Sequence, residues 1–146
     1  MPQKAKSLLN RNNTGFLLAK AVQRWNEQLY KGFCQHGYPQ VRPSYGSVLV
    51  PLFEEDGLRI GELAKRSKLS KQTMTTMVRL LERDALIRRK TDAVDSRATR
   101  IFLTPLAKRF RPAAEKVLAD LEKTATSLCS RNDFVIVRRW FREFAK

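Results

Sequence analysis

Gln72, Thr75, Thr76, Arg79 and Arg83 recur along one side of a helix-period segment, and none of them is acidic. Amide and guanidinium groups offer paired hydrogen-bonding atoms at fixed spacing. That geometry reads base-pair edges: Gln matches adenine and Arg matches guanine by two-point bonding. A solvated helix face is the plainer alternative, but such faces usually mix charge signs. Here Glu82 falls to the side of the stripe, and Lys71 and Arg83 lie at the ends of the segment, placed for phosphates. A second grouping lies in the stretch DAVDSRA, where Asp95 and Arg97 are two residues apart. If the stretch is extended, their side chains share one side. A carboxylate so placed, with Arg100 expected to join the group, holds a guanidinium outstretched, and an outstretched Arg suits a narrow minor groove. The plainer alternative is a surface ion pair worth very little.

The elements that must carry these groups are legible around them. Ser70 is a good N-cap, since its hydroxyl can accept from the first exposed N–H groups of a helix. Thr73 lacks the carboxylate or amide of a full capping box. Met74, Met77, Val78 and Leu81 follow the i, i+3, i+4, i+7 rule and predict the buried face of that helix. A shorter helix precedes it from about Ile60 to Ser67, with Ile60, Leu63 and Ala64 inward and a weak cap, and SKLS supplies the tight turn between the two. Two strand patterns follow, Leu86 to Thr91 and Thr99 to Leu103, with Ile87, Ile101 and Leu103 inward and a polar tip between them. Leu58-Arg59-Ile60 predicts a short third strand. A helix pair followed by a hairpin lets the second helix enter a major groove while the hairpin reaches beside it.

The run DGLRIGELAKRSKLSKQTMTTMVRLLERDALIRRKTDAVDSRATRIFLTPLAK resembles the MarR family of bacterial transcription regulators. The marks are GELAKRSKLSKQTMTTMVRLLE, the LIRRK strand, D-x-x-D-S-R-A in the wing, and LTP opening a long helix. The resemblance implies a mainly α (α+β) fold, in which a winged helix-turn-helix reader sits between N- and C-terminal dimerisation helices. It implies a homodimeric, sequence-specific regulator, usually a repressor of palindromic operators, often released by a small ligand or by oxidation. The candidate contacts to double-stranded DNA are Ser70, Lys71, Gln72, Thr73, Thr75, Thr76, Arg79 and Arg83 on the helix. In the wing they are Arg88, Arg89, Lys90, Asp95, Arg97 and Arg100.

The net charge of +15 on 146 residues points to a polyanionic partner. Residues 57–104 hold 12 Lys/Arg against 5 Asp/Glu, so charge is densest in the candidate reader, although the remainder is basic too. A non-specific, architectural nucleic-acid binder would share this charge and is the competing function. An enzyme is disfavoured, because the sequence has one His, no Gly-rich phosphate loop and no evident nucleophile–base pair. No cofactor is expected, and Cys34, Cys129 and His36 lack metal-ligand spacing. The cysteines read as structural or inert thiols in a reducing compartment. The apolar run from Val48 to Phe53 is too short to span a bilayer. With no signal pattern at the N-terminus, the expected location is cytoplasmic, away from membranes.

Residues 1–13 read as a basic flexible arm. Residues 14–36 and 105–146 read as a helical dimerisation region and residues 37–104 as the winged-helix domain. Leu18, Val22, Trp25, Leu29 and Phe33 form a broad stripe on the first helix. Pro43 opens a helix from Ser44 to Glu55, in which Pro51 predicts a kink or an early end. Thr104-Pro105 caps a helix reaching about Cys129, with Pro112 inside it, and Ser130 caps a last helix, Asn132 to Ala145. The apolar faces of these terminal helices exceed what one small reader can cover, and pairing across a two-fold axis is the economical solution. Relatives bind small aromatic acids between dimer arm and reader, and the resemblance makes Trp25, Tyr38, Tyr45 and Arg111 candidates for such a site, with ordinary packing aromatics and a solvated Arg the plainer reading of each.

Overall fold

The computed structural model describes residues 7–146; half of the expected basic arm, residues 1–6, lies outside the described residues. The chain runs α1 (Thr14–Gln35), a 3-10 turn (Pro43–Tyr45), α2 (Gly46–Glu54), β1 (Leu58–Arg59), α3 (Ile60–Ser67), α4 (Lys71–Arg83), β2 (Ile87–Thr91), β3 (Thr99–Leu103), α5 (Pro105–Ser127) and α6 (Arg131–Phe144). The three strands form an antiparallel sheet in the order β1-β3-β2, with Leu58 opposite Ile101 and Ile87 opposite Leu103. That register puts Leu58, Ile87, Ile101 and Leu103 into the core beside Val48, Leu52, Leu63, Met74, Val78 and Leu81. The predicted inward faces of α3, α4, β2 and β3 therefore hold, except that Ile60 and Met77 are only half-buried. Ile60 starts α3 instead of ending β1.

Several helix ends are better finished than their residue types announce. Asn13 caps α1 by accepting from the Phe16 N–H at 2.9 Å. The cap of α3 is not weak: the Glu62 carboxylate reaches back to the Arg59 N–H at 2.9 Å, half of a capping box without a Ser or Asp. Pro51 neither ends α2 nor leaves a carbonyl orphaned. A proline removes the N–H that would serve the carbonyl four residues earlier; that carbonyl belongs to Ser47, and the Ser67 hydroxyl from α3 donates to it. α2 continues to Glu54, and its trailing acids are used, Glu55 by Arg66 and Asp56 by the Leu103 N–H at 2.9 Å.

Gly32 is where α1 and α5 touch. A Cβ there would lie 2.4 Å from Val117 Cγ1 and 2.9 Å from Cγ2. Gly32→Ala should therefore lower the thermal midpoint, although Ala is the better helix former by about 0.5–1 kcal/mol. Overpacking of this kind costs roughly 1–3 kcal/mol. Val117→Ala in the same chain should recover part of the loss by removing the obstructing methyls. A Gly32→Ala chain that melts higher than the wild type would show that the helices can part freely.

Candidate nucleic-acid interface

Helix α4 is held from beneath by Met74, Val78 and Leu81, all buried, so its opposite side is fixed in direction. Ser70 accepts from the Thr73 N–H at 3.0 Å and donates to the Thr73 hydroxyl at 2.8 Å, so both side chains are committed to the helix start. The exposed face beyond them carries Lys71, Gln72, Thr76 and Arg79, with Thr75 half-buried at its edge. Thr75 and Thr76 donate their hydroxyl protons to the carbonyls of Lys71 and Gln72, at 2.8 and 3.2 Å. What they present outward is therefore an acceptor oxygen and a methyl, a pair suited to base amino groups and to the thymine methyl. Among the described residues Arg79 has no carboxylate at ion-pair distance, whereas Arg83 bonds Asp84 at 3.2 Å.

The position of Arg83 is set from the core. Asp84 also accepts from the Tyr45 hydroxyl, and Tyr45 is 1% exposed. The Tyr45 hydroxyl bond and the neighbouring guanidinium hold the Asp84 carboxyl below its ordinary range, while burial raises the Tyr45 phenol. Tyr45 is thus a core residue that ties the 3-10 turn to the end of α4. Of the two readings its sequence allowed, packing aromatic or ligand contact, Tyr45 takes the first.

In the wing, Arg88 and Lys90 are exposed, and Arg89 is taken up by Glu82 at 2.6 Å. Residues 93–97 form bends and a turn. Asp95 and Arg97 therefore meet by chain reversal, not by sharing one side of an extended strand. The Asp95 carboxylate accepts from both the backbone N–H and Nε of Arg97, at 3.1 and 3.2 Å. Arg97 remains 90% exposed along its side chain, at the tip. Arg59, Lys65, Lys71 and Arg97, with Glu62 among them, line one groove between α3, the start of α4 and the wing.

Arg100 does not reach the tip, contrary to the expected grouping with Arg97. Its Nε bonds the buried Asp92 at 2.8 Å and its Nη1 bonds the Gly57 carbonyl at 2.9 Å. Asp92 escaped the reading of the sequence because nothing marks one acid in a polar loop as buried. Its partners lie 33 and 8 residues away.

The four aromatic-site candidates do not converge. Tyr38 packs edge-on against Phe110 and donates to the Arg109 carbonyl at 3.2 Å. Trp25 lines an apolar cavity between α1, α5 and α6. Only Arg111 borders the cavity of about 290 Å³ between α1, α2 and α5. Its guanidinium lies 5.4 Å from the Phe53 ring and bonds Glu115 at 3.1 Å. Neither cysteine packs in the core; Cys34 and Cys129 are both exposed free thiols, so a packing role for them is ruled out.

A buried-faced second helix, a capped turn and a three-stranded hairpin sheet define a winged helix-turn-helix domain. Residues 43–99 match the model of the MarR family. The HTH-type transcriptional regulator TtmR of Methylorubrum extorquens (strain PA1) is 40% identical over 57 residues, 39% of this chain and 29% of that protein, so the match spans under a third of the relative's length. The structure also resembles the transcriptional repressor CouR bound to a 23-mer DNA duplex, with a TM-score of 0.78 and 22% identity over 96% of this chain and 100% of that one. A similar fold is found in the PcaV transcriptional regulator of Streptomyces coelicolor in complex with its natural ligand, at a TM-score of 0.78 and 19% identity, covering 98% and 97% of the two chains. Among the described residues no helix is long and apolar enough to cross a membrane.

Proposed function

We propose that this protein is a homodimeric, sequence-specific DNA-binding transcription regulator of the MarR type, a repressor of palindromic operators acting in the cytoplasm. The observation that carries this is the exposed, carboxylate-free face of α4, with Gln72, Thr76 and Arg79, on a helix whose first residue, Lys71, shares one groove with Arg97 of the wing tip. A non-specific architectural binder needs the charge but not a carboxylate-free face of mixed donors and acceptors on a rigidly packed helix. Residues 37–104 serve as the reader, and residues 14–36 and 105–146 as the dimer arm. Selection of bound duplexes from a random pool at physiological salt tests this directly. A two-fold symmetric consensus supports it; retention of all sequences alike, abolished equally by any competitor DNA, would establish the architectural alternative.

Within α4 the labour divides. Arg79→Ala should relax the preference at one position per half-site, since a good bidentate contact contributes about 1–3 kcal/mol of discrimination. Lys71→Ala should weaken all duplexes alike and reduce the salt slope by about one unit. Binding titrations on the consensus and on point-changed duplexes, at three salt concentrations, separate the two effects; indistinguishable variants would refute the assignment.

The cavity between α1, α2 and α5 supports release by a small aromatic acid. Phe33, Phe53 and Phe110 supply apolar walls, and Arg42 and Arg111 supply cations beside them. It joins the dimer arm to the reader, so an occupant that fits one relative placement better than another shifts the population toward it.

A further inference from the structure

Among the described residues Asp92 is the buried charged one, at 4% exposure, and it is not part of the groove lining. Its carboxylate accepts from Arg59 Nη2 at 2.8 Å, Arg100 Nε at 2.8 Å, the Val94 N–H at 2.8 Å and the Asp95 N–H at 3.3 Å. These donors belong to three different pieces. Arg59 is the last residue of β1 and the residue that caps α3; Arg100 belongs to β3; Val94 and Asp95 begin the wing tip. The carboxyl is held far below the ordinary range, chiefly by the Val94 N–H and the two guanidiniums. It therefore stays ionised at any pH at which the protein is used, and the junction is not a pH switch.

We propose that Asp92 is a positioning residue for DNA recognition: it locks the wing tip to the start of the helix-turn-helix, and so fixes where Arg97 stands relative to Lys71 and α4. The inference rests on the regulator function proposed above and adds a residue that touches no DNA. Two features make it more than general stability. Arg59 and Lys71 line the same groove as Arg97, so the Asp92 junction spans the two sides that must engage one duplex. The junction also consumes Arg59 and Arg100, two cations that a charge count would assign to phosphates.

Asp92→Asn supplies a test in which charge and position predict opposite signs. It removes a negative charge and loosens two guanidiniums, so electrostatics alone predicts tighter binding to every duplex. Positioning predicts weaker binding to the selected duplex, by roughly tenfold, a mid-range value for residues coupled through one network. Binding to random duplex stays equal or rises. The decisive measurement is a double-mutant cycle with Arg97→Ala on the selected duplex at fixed salt. If Asp92 acts through the tip, Asp92→Asn costs less than about twofold once Arg97 is absent. An undiminished loss in that background, or no loss in the wild-type background, overturns the inference.

Arg100→Lys provides the same test with unchanged net charge, should Asp92→Asn fail to fold. It should show a smaller loss, again erased by Arg97→Ala, and no loss overturns the inference. The wild-type titration is read first. If the wild type fails to discriminate its selected duplex, the regulator function falls and this inference with it. If it discriminates and the cycle shows no coupling, only the positioning role falls.

Discussion

If the proposed dimer forms through the terminal helices, deletion of residues 131–146 should leave a chain that aggregates or dissociates, and its affinity for the proposed two-fold operator should fall by about two to four orders of magnitude as the second half-site is lost. A monomeric protein would behave otherwise. α6 contributes no fully buried residue to its own chain, so within one subunit its removal costs little packing. Yet it presents Val135, Ile136, Val137, Trp140, Phe141 and Phe144 at 39–73% exposure, with Trp140 and Phe144 stacked at 4.9 Å. Leu17 and Val22 on α1 are more than half exposed as well. Apolar area on this scale, gathered on α1 and α6, marks an interaction surface. A second copy covers it economically, because a two-fold axis lets one self-complementary patch solve the problem for both subunits. Sedimentation at micromolar concentration should give about twice 16.9 kDa for the intact chain. A clean monomer that still binds the operator tightly, or a truncated chain that binds like the wild type, would remove the dimer arm from the proposal.

The division between what the residues disclosed and what they concealed follows the range of the interactions. The Ser70 cap, the buried stripe of α4 and the inward residues of β2 and β3 depend on neighbours within a few positions. Each was visible as a spacing. The Ser67 hydroxyl serving the carbonyl that Pro51 orphans depends on two helices meeting, so the proline alone could only suggest a break. The same holds for Tyr45 and Asp84, 39 residues apart, whose bond turns a candidate ligand contact into a core strut. Arg89 and Arg100 show the cost of counting cations without their partners: Glu82 and Asp92 occupy them, and only folding brings those acids near. The candidate DNA face was legible as a set of types, but which member stands free of a carboxylate, as Arg79 does among the described residues, emerges only after the pairs are assigned.

Arg97→Ala should weaken operator binding on the order of tenfold to a hundredfold, the scale of losing one well-placed arginine contact to bases. Folding should be untouched, since the side chain is 90% exposed and its one ionic partner is a surface carboxylate. The informative variant is Asp95→Ala. A carboxylate at a tip that approaches DNA is repelled by phosphates, so its presence there needs a compensating role. The structure offers one. Asp95 accepts from the backbone N–H and from Nε of Arg97, and its carbonyl accepts from the Ala98 N–H at 3.0 Å, so one residue organises both the turn and the guanidinium. An arginine already held in its reaching rotamer loses less side-chain entropy on binding, and that saving opposes the repulsion. A narrow A·T-rich minor groove, with its enhanced negative potential, is where the held guanidinium gains most. Asp95→Ala should therefore weaken binding to the selected duplex despite the more favourable net charge. The loss should be largest when the flanks are A·T-rich, and it should vanish in an Arg97→Ala background. Tighter operator binding by Asp95→Ala at fixed salt would leave Asp95 as an ordinary turn residue and Arg97 as an unguided phosphate contact.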